Sequence, residues 1–438
     1  MRAGRILVAI LLLGGLIGVL VQAGEIYTRF LYLGIVVIVV SWLWTQFSLR
    51  GLSVKRRARS LRASVGDIFE EYFELSNDSR MGKLWVELSN DSNMPSAHGS
   101  RVLTMVSRKQ KRTHIARTWL IRRGGFKLGP TRLVSGDPFG LFRTERIFPA
   151  EHSLVVLPMI YEISSFLSPP GLLPGGQVIR RKALDVTPHA SGVREYVPGD
   201  PMKRIHWPTT ARRGQLIVKE FEQDPQAEVW FFLDAQREVH TEKPYDYPEM
   251  YGDGWVLDRR PDYELPPSTL EYAISATASL VHYYLDQRRA VGLVTASHQF
   301  RVIPAERSER QEGKILETLA FIEAESDLSI AGLTAAQAGQ LPQGSSAILV
   351  TPTVYPELLA AVDDLQRRNL RPVVVLLMAD SFGGARGGEK LYSSLLERNV
   401  PVCRIYCDAN LSLELSGFSA NINTKDSSWQ RPPLSHLT

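Results

Sequence analysis

Between Arg194 and Glu222 the chain reads REYVPGDPMKRIHWPTTARRGQLIVKEFE, a concentration of side chains with fixed chemistry just before the apolar run VWFFLD. Arg194, Arg204, Arg212 and Arg213 offer rigid forks suited to carboxylates and phosphates. Asp200 and His206, six residues apart across a turn signal, are candidates for an acid–base pair. Trp207 presents a large apolar body with one donor. Pro198-Gly199-Asp200 reads as a tight turn in which glycine supplies a positive φ.

No nucleophile, glycine-rich phosphate loop or metal-ligand cluster accompanies the Asp–His pair, and a pair alone does not make an active site. The arginines lack the aromatic interleaving or groove-binding motif of a nucleic-acid reader. Two uses remain. The segment is a junction that ties one domain to the next through salt bridges around Trp207, or it anchors a partner protein, for which Arg and Trp are typical.

The elements that must position these residues divide the 438-residue chain, long enough for two or three domains of ~150 residues. From Leu52 to Leu157 short alternating runs are broken by polar turns, among them LSNDS twice, at Leu75–Ser79 and Leu88–Ser92. This predicts a small antiparallel β-sandwich or barrel, with GDPFGLF (Gly136–Phe142) as a turn between strands. Gln215–Phe221 resumes a strand pattern with Leu216 and Val218 on one face.

From about Ala227 the period changes. VWFFLD is a buried parallel strand ending in a carboxylate, Asp234. Ser268-Thr-Leu-Glu271 is a capping box opening a helix. VGLVTA, SAILVT, PVVVLLMAD and PVCRIYC alternate with helical patterns, predicting a doubly wound α/β sheet. HQFRVIP reads as a hairpin partner of VGLVTA. The stretch between Val239 and Pro267 is acidic, aromatic and proline-rich, a lid or docking loop in one reading and a surface decoration in the other.

Two apolar runs precede all this, Ile6–Val21 and Phe30–Phe47. Each approaches the ~20 residues needed to cross a bilayer, and the short linker predicts an antiparallel hairpin. A cleaved signal peptide is the competing reading of the first run. The second run follows at once, with no small-x-small cleavage site before a soluble stretch. Arg2 and Arg5 precede the hairpin; Arg50, Lys55, Arg56, Arg57, Arg59 and Arg62 follow it. The excess of basic residues places both termini in the cytoplasm and suits anionic lipid. The net charge of +5 is thereby accounted for without nucleic acid.

Only Cys403 and Cys407 are present, which excludes a disulfide-held secreted scaffold and a structural zinc site. No Walker-type loop is present to handle ATP.

Arg194-x-Tyr196-x-x-Gly199-Asp200-x-x-Arg204-x-His206-Trp207, followed by Ala211-Arg212 and Leu216-x-Val218-Lys-Glu-Phe-Glu222, resembles the hallmark of the domain of unknown function 58 family. Gly136–Leu141 is similar to its upstream element. The resemblance implies a β-domain followed by a von Willebrand factor A-like domain. It also implies association with MoxR-type AAA+ ATPases, often with other membrane proteins carrying A-type domains, in maturation, chaperone-like or envelope-stress roles.

The A-type fold usually holds an ion with Asp-x-Ser-x-Ser, a loop Thr and a later Asp, hard oxygens suited to Mg²⁺. Here the first motif reads Asp234-Ala-Gln236-Arg-Glu238. Thr334 stands for the Thr, and Thr351-Pro352 replaces the Asp. A degenerate, metal-free site is expected.

The expected organisation is a membrane-anchored α+β chain. Residues 1–50 form a transmembrane hairpin, 51–160 a β-sandwich, 161–226 a linker carrying the motif, 227–410 the doubly wound A-like domain and 411–438 a disordered tail. The expected function is a non-enzymatic adaptor of the inner (plasma) membrane, multi-pass, with cytoplasmic domains and no cofactor. The alternatives are a membrane-anchored enzyme using Asp200 and His206, and a metal-dependent ligand-binding domain.

Overall fold

The computed structural model describes residues 2–22, 24–95, 100–149, 152–167, 190–197, 202, 205–221, 228–247 and 263–425. It is a mixed α+β protein with several sheets, and it divides into two compact units. One is Met1–Ile160 with Glu242–Ala278 and Gly313–Glu323; the other is Tyr161–Thr241 with Ser279–Glu312 and Ala324–Thr438.

The first unit opens with helices α1 (Arg2–Leu20) and α2 (Glu25–Ser48). Glycines let them approach: a Cβ on Gly18 would strike the Tyr27 ring, one on Gly15 would meet Leu31, and one on Gly34 would meet Leu12. Among the described residues, only α2 is long and apolar enough to cross a membrane. The apolar part of α1, Gly4–Leu20, rises about 26 Å at 1.5 Å per residue, short of the ~30 Å hydrocarbon layer.

Ten strands follow: β1 (Leu52–Ala58), β2 (Arg62–Ser64), β3 (Ile68–Asn77), β4 (Lys83–Asn90), β5 (Arg101–Val106), β6 (Lys111–Trp119), β7 (Gly124–Leu128), β8 (Thr131–Gly136), β9 (Arg143–Phe148) and β10 (His152–Leu157). They pair as β1-β3-β6, β5-β4-β8-β9 and β2-β10-β7, antiparallel except for β2 beside β10. Period-two alternation packs Phe73, Leu75 and Ala116 of one sheet with Val86, Leu88 and Leu133 of another in a shared core. A second core gathers Phe69, Leu120, Phe126, Leu154 and Val156.

The repeated LSNDS proves structural. Asn77 is buried, its amide within reach of the Met81, Val106 and Ser107 carbonyls. Asn90 donates to the buried Glu71, which also holds Arg56 at 2.5 Å.

Of the stretch between Val239 and Pro267, the described residues 242–247 are mostly exposed, and its far end packs on this unit. Tyr263 meets Trp119 edge-to-face and donates to the Ile121 carbonyl at 3.2 Å; residues 248–262 lie outside the described ones. Arg123, buried, donates to the Leu319 and Ile322 carbonyls and pairs with Glu271. Glu271 is therefore not the return arm of a capping box, and the Ser268 N–H goes to the Pro266 carbonyl instead.

In the second unit β11 (Ala190–Glu195) and β12 (Ile217–Phe221) form an antiparallel pair around α3 (Trp207–Arg213). Beyond them run β13 (Val229–Leu233), α4 (Thr269–Asp286), β14 (Val291–Ala296), β15 (Phe300–Glu306), α5 (Glu309–Ala320), α6 (Ile330–Gln337), β16 (Ser346–Thr351), α7 (Glu357–Arg367), β17 (Arg371–Leu377), α8 (Gly388–Glu397), β18 (Val402–Ile405) and α9 (Leu411–Lys425). Helices α4 and α5 begin in one unit and end in the other.

The sheet order is β15-β14-β13-β16-β17-β18, all parallel except β15. This is the doubly wound order in which the chain reverses between β13 and β16. Strands β13, β14 and β16 are buried along their whole length, as strands covered on both faces require.

The expected disordered tail is replaced by α9. Leu411, Leu415 and Phe418 recur at helical spacing and are buried, and the Phe418 ring lies 5.3 Å from Phe166. A Ser- and Asn-rich composition concealed that spacing. Residues 426–438 lie outside the described ones.

Candidate functional site

The motif segment folds as a strand, a short helix and a returning strand. The Tyr196 N–H donates to Leu216, and the His206 N–H donates to Ile217 at 2.8 Å, so both ends of the connection are held to β12. Pro208 sits in the first turn of α3, where its missing N–H costs nothing. Gly214 ends the helix at φ 66°, a left-handed conformation that glycine adopts without strain. Ile205 bridges Val218, and Ile205, Ile217 and Val218 are buried together. Leu216 does not share a face with Val218 as expected; it is exposed, because the strand starts one residue later.

Of the candidate residues here, Gly199, Asp200 and Arg204 lie outside the described ones, as does the side chain of Arg194. Tyr196 is half-buried. His206 is engaged locally, its Nδ1 2.6 Å from the Thr209 hydroxyl. Helix α3 buries none of its residues: Arg212 and Arg213 are exposed, and Trp207 is 62% exposed. Trp207 is therefore not buried at the centre of a packed junction, and Asp200, Arg204 and the Arg194 side chain, expected there, lie outside the described residues. Val197, Met202 and Leu216 of the same segment are exposed as well.

The second place where the predicted residues converge is the carboxyl end of β13 and β16, the point of reversal in the sheet. Asp234 is buried, and the Thr351 hydroxyl donates to its Oδ2 at 2.6 Å. The Gln236 N–H donates to Oδ1 at 3.0 Å, and His240 Nε2 lies 3.0 Å from the Asp234 carbonyl. The Thr353 N–H in turn donates to the Thr351 hydroxyl. Burial pushes the Asp234 carboxyl up to about 6, against the opposing pull of Thr351 and the Gln236 amide.

This donor set does not fit the A-type ion. Both carboxylate oxygens of Asp234 already accept hydrogen bonds from the protein. Gln236 and Glu238 replace the serines, and Glu238 is exposed beside the exposed Arg237. Thr334 is not in a loop: it lies within α6 and donates to the Ala331 carbonyl at 2.9 Å. Thr351 is the partner of Asp234, and the strand-end Thr-Pro pair was the only sequence signal for it.

Residues 192–242 match the family described as Protein of unknown function DUF58. The matched span runs from within β11 through Asp234 to the start of the acidic stretch, so it covers the first place and the Asp234 side of the second, but not Thr351. Uncharacterized protein YeaD of Bacillus subtilis (strain 168) is 25% identical over 205 residues, 46% of this chain and 43% of that protein. The alignment thus spans less than half of that relative. Among solved structures, the CARDB domain of the PF1109 protein of Pyrococcus furiosus aligns with 24% of this chain and 91% of its own, at 10% identity and a TM-score of 0.18. The complex of zinc 2-glycoprotein and prolactin inducible protein from human seminal plasma aligns with 24% of this chain and 92% of its own, at 12% identity and a TM-score of 0.17. Neither score carries an argument about fold or function.

Proposed function

We propose that this chain is a non-enzymatic adaptor of the inner (plasma) membrane that gathers a partner protein through the β11–α3–β12 segment. The observation that carries the reading is the exposure of Trp207 on a helix that buries nothing, flanked by Arg212 and Arg213. Large aromatic and arginine side chains left in water are the usual anchors of protein interfaces. The partner class is a MoxR-type AAA+ ATPase, as the resemblance of the motif implies, with ATP chemistry belonging to that partner. Other membrane proteins with A-type domains belong to the same assembly, and nucleic acid does not.

Three features support the surrounding picture. The sheet order with an antiparallel third strand, and an aspartate ending the first, support a von Willebrand factor A-like domain. The shut Asp234–Thr351 pair supports a domain that works without Mg²⁺ or another cofactor. The apolar α2 supports a membrane anchor, its glycine contacts with α1 are what an inserted hairpin would use, and the basic residues after α2 favour the folded units in the cytoplasm. Confinement to the membrane raises the local concentration of weakly bound partners.

The test is capture of the full chain from solubilised membranes with partners identified by mass spectrometry. The reading expects an AAA+ ATPase with the wild type and its loss with Trp207→Ala combined with Arg212→Ala. Failure ever to recover an ATPase would sink it. So would a small-molecule turnover lost in Asp200→Ala and His206→Ala with the fold intact, which is the result an enzyme requires.

A further inference from the structure

At the end of the helix pair where α1 begins and α2 finishes, two turns of the β-sandwich are fastened to the helices. Arg5 Nε donates to the Leu141 carbonyl at 3.2 Å, and Gly4 lies against the Phe139 carbonyl. On the other side Lys83 Nζ, largely buried, donates to the Phe47 carbonyl in the last turn of α2 at 2.7 Å. Burial holds the Lys83 ammonium below its ordinary range.

The Asp137–Phe142 loop is braced from within, and the Met81 carbonyl accepts from Asn77 and from the Ser79 hydroxyl. The buried Asp137 carboxylate accepts the Phe139 N–H at 2.9 Å and the Phe142 N–H at 2.6 Å. Ser135, just before it, donates to the Trp85 carbonyl at 2.7 Å. A Cβ on Gly136 would collide with the Phe142 carbonyl, so the loop closes only with glycine there.

What these turns present is apolar. Phe139 is 52% exposed and Met81 48%, with Leu84 and Phe47 also exposed beside them. Trp44, Phe47, Met81 and Leu84 line one small hollow. Two basic groups lie at these turns: Arg50 stands over the Phe47 ring at 4.7 Å, and Arg5 is on the Leu141 carbonyl of the Asp137–Phe142 loop.

We propose that the Met81–Leu84 turn and the Asp137–Phe142 loop form a second membrane contact, a foot seated in the headgroup zone of an anionic bilayer at the base of α2. The proposal rests on α2 spanning the membrane. Its occupant is the bilayer because the patch continues the exposed apolar surface of α2, and because Arg5 and Arg50 at these turns complement anionic headgroups. Phenylalanine, methionine and leucine are the side chains that enter the acyl boundary, while arginine stems reach back to phosphate. The foot would fix the sandwich close to the bilayer surface instead of leaving it on a swivel.

The test uses the full chain with Cys407→Ser, Cys403 being buried. An environment-sensitive fluorophore is placed at Phe139→Cys, Met81→Cys or, within α2, Val39→Cys. Each sits at an exposed side chain, and an unchanged melting point confirms the fold. The proteins are reconstituted in phosphatidylethanolamine–phosphatidylglycerol vesicles carrying nitroxide lipids. The proposal expects blue-shifted emission at residues 139 and 81, quenched by headgroup-proximal nitroxides, and quenching at residue 39 by mid-chain nitroxides. A water-like, unquenched label at 139 with residue 39 quenched would overturn the foot while leaving α2 in the membrane, and would hand the patch to a protein partner. An unquenched label at residue 39 would overturn the spanning helix, and the foot with it.

Discussion

Thr351 donates its hydroxyl hydrogen to Asp234 across the two central strands, 2.6 Å from Oδ2, at the place where a doubly wound sheet ordinarily opens a ligand crevice. The bond closes that crevice with protein groups.

The pair makes stability depend on pH in an unusual direction. The folded-state pKa of Asp234, about 6, lies above the ordinary 3.8. The folded state therefore holds a proton that the unfolded chain releases, and this group's contribution to stability improves as pH falls from about 7 to about 4. At 1.36 kcal/mol per unit the contribution is at most about 3 kcal/mol. Asp234→Asn should remove it, so the difference between variant and wild-type unfolding free energies, followed by denaturant melts across this window, should shrink toward acid. A constant difference would show Asp234 to be ionised normally.

The same geometry predicts the response to metal. Titration with Mg²⁺ should produce no binding heat and no rise in melting temperature, and Asp234→Ala should not alter that. Tight binding abolished by Asp234→Ala would require the Thr351 bond to be broken for an ion.

Trp207→Ala should leave unfolding free energy within about 0.5 kcal/mol of wild type, the range of ordinary surface substitutions. Partner capture should fall sharply. A large loss of stability would restore the buried junction that the exposure of Trp207 argues against.

Arg123 is the opposite case, buried and committed to Glu271 and to the Leu319 and Ile322 carbonyls. Burial lowers its pKa to about 10, still cationic at neutral pH. Arg123→Ala leaves the half-buried Glu271 and two carbonyls without their partner, and should cost about 2–4 kcal/mol in denaturant unfolding. Arg123→Lys should recover only part of this, because an ammonium lacks the planar fork. Wild-type stability in Arg123→Ala would show the contacts to be incidental.

Asn77→Ala should destabilise as well, by about 1–3 kcal/mol, since it leaves the Met81, Val106 and Ser107 carbonyls without their donor. Thermal melts of Asn77→Ala beside Asn90→Ala would separate the two copies of LSNDS. Loss at neither would mean that water replaces both side chains.

Much of the fold is written in local periodicity. Alternation in Ile68–Asn77 and Lys111–Trp119, continuous apolarity in VWFFL and SAILVT, and the turn chemistry of GDPFGLF each determine an element through which face must be buried. The long apolar helix Glu25–Ser48 follows from length and composition alone. The periodicity of Leu411, Leu415 and Phe418 was also present, and was hidden by the polar residues between them.

Contacts between distant residues were not legible, because nothing local encodes them. Thr351 meets Asp234 from 117 positions away, and Arg123 reaches Leu319 across 196. Chain spacing alone could not reveal that His206 Nδ1 meets the Thr209 hydroxyl or that Trp207 turns to solvent. Residue types and spacing determined which side chains had chemistry to offer. Only the tertiary structure decided which of them were desolvated and matched inside and which stayed in water, since burial and partnership are properties of the folded neighbourhood.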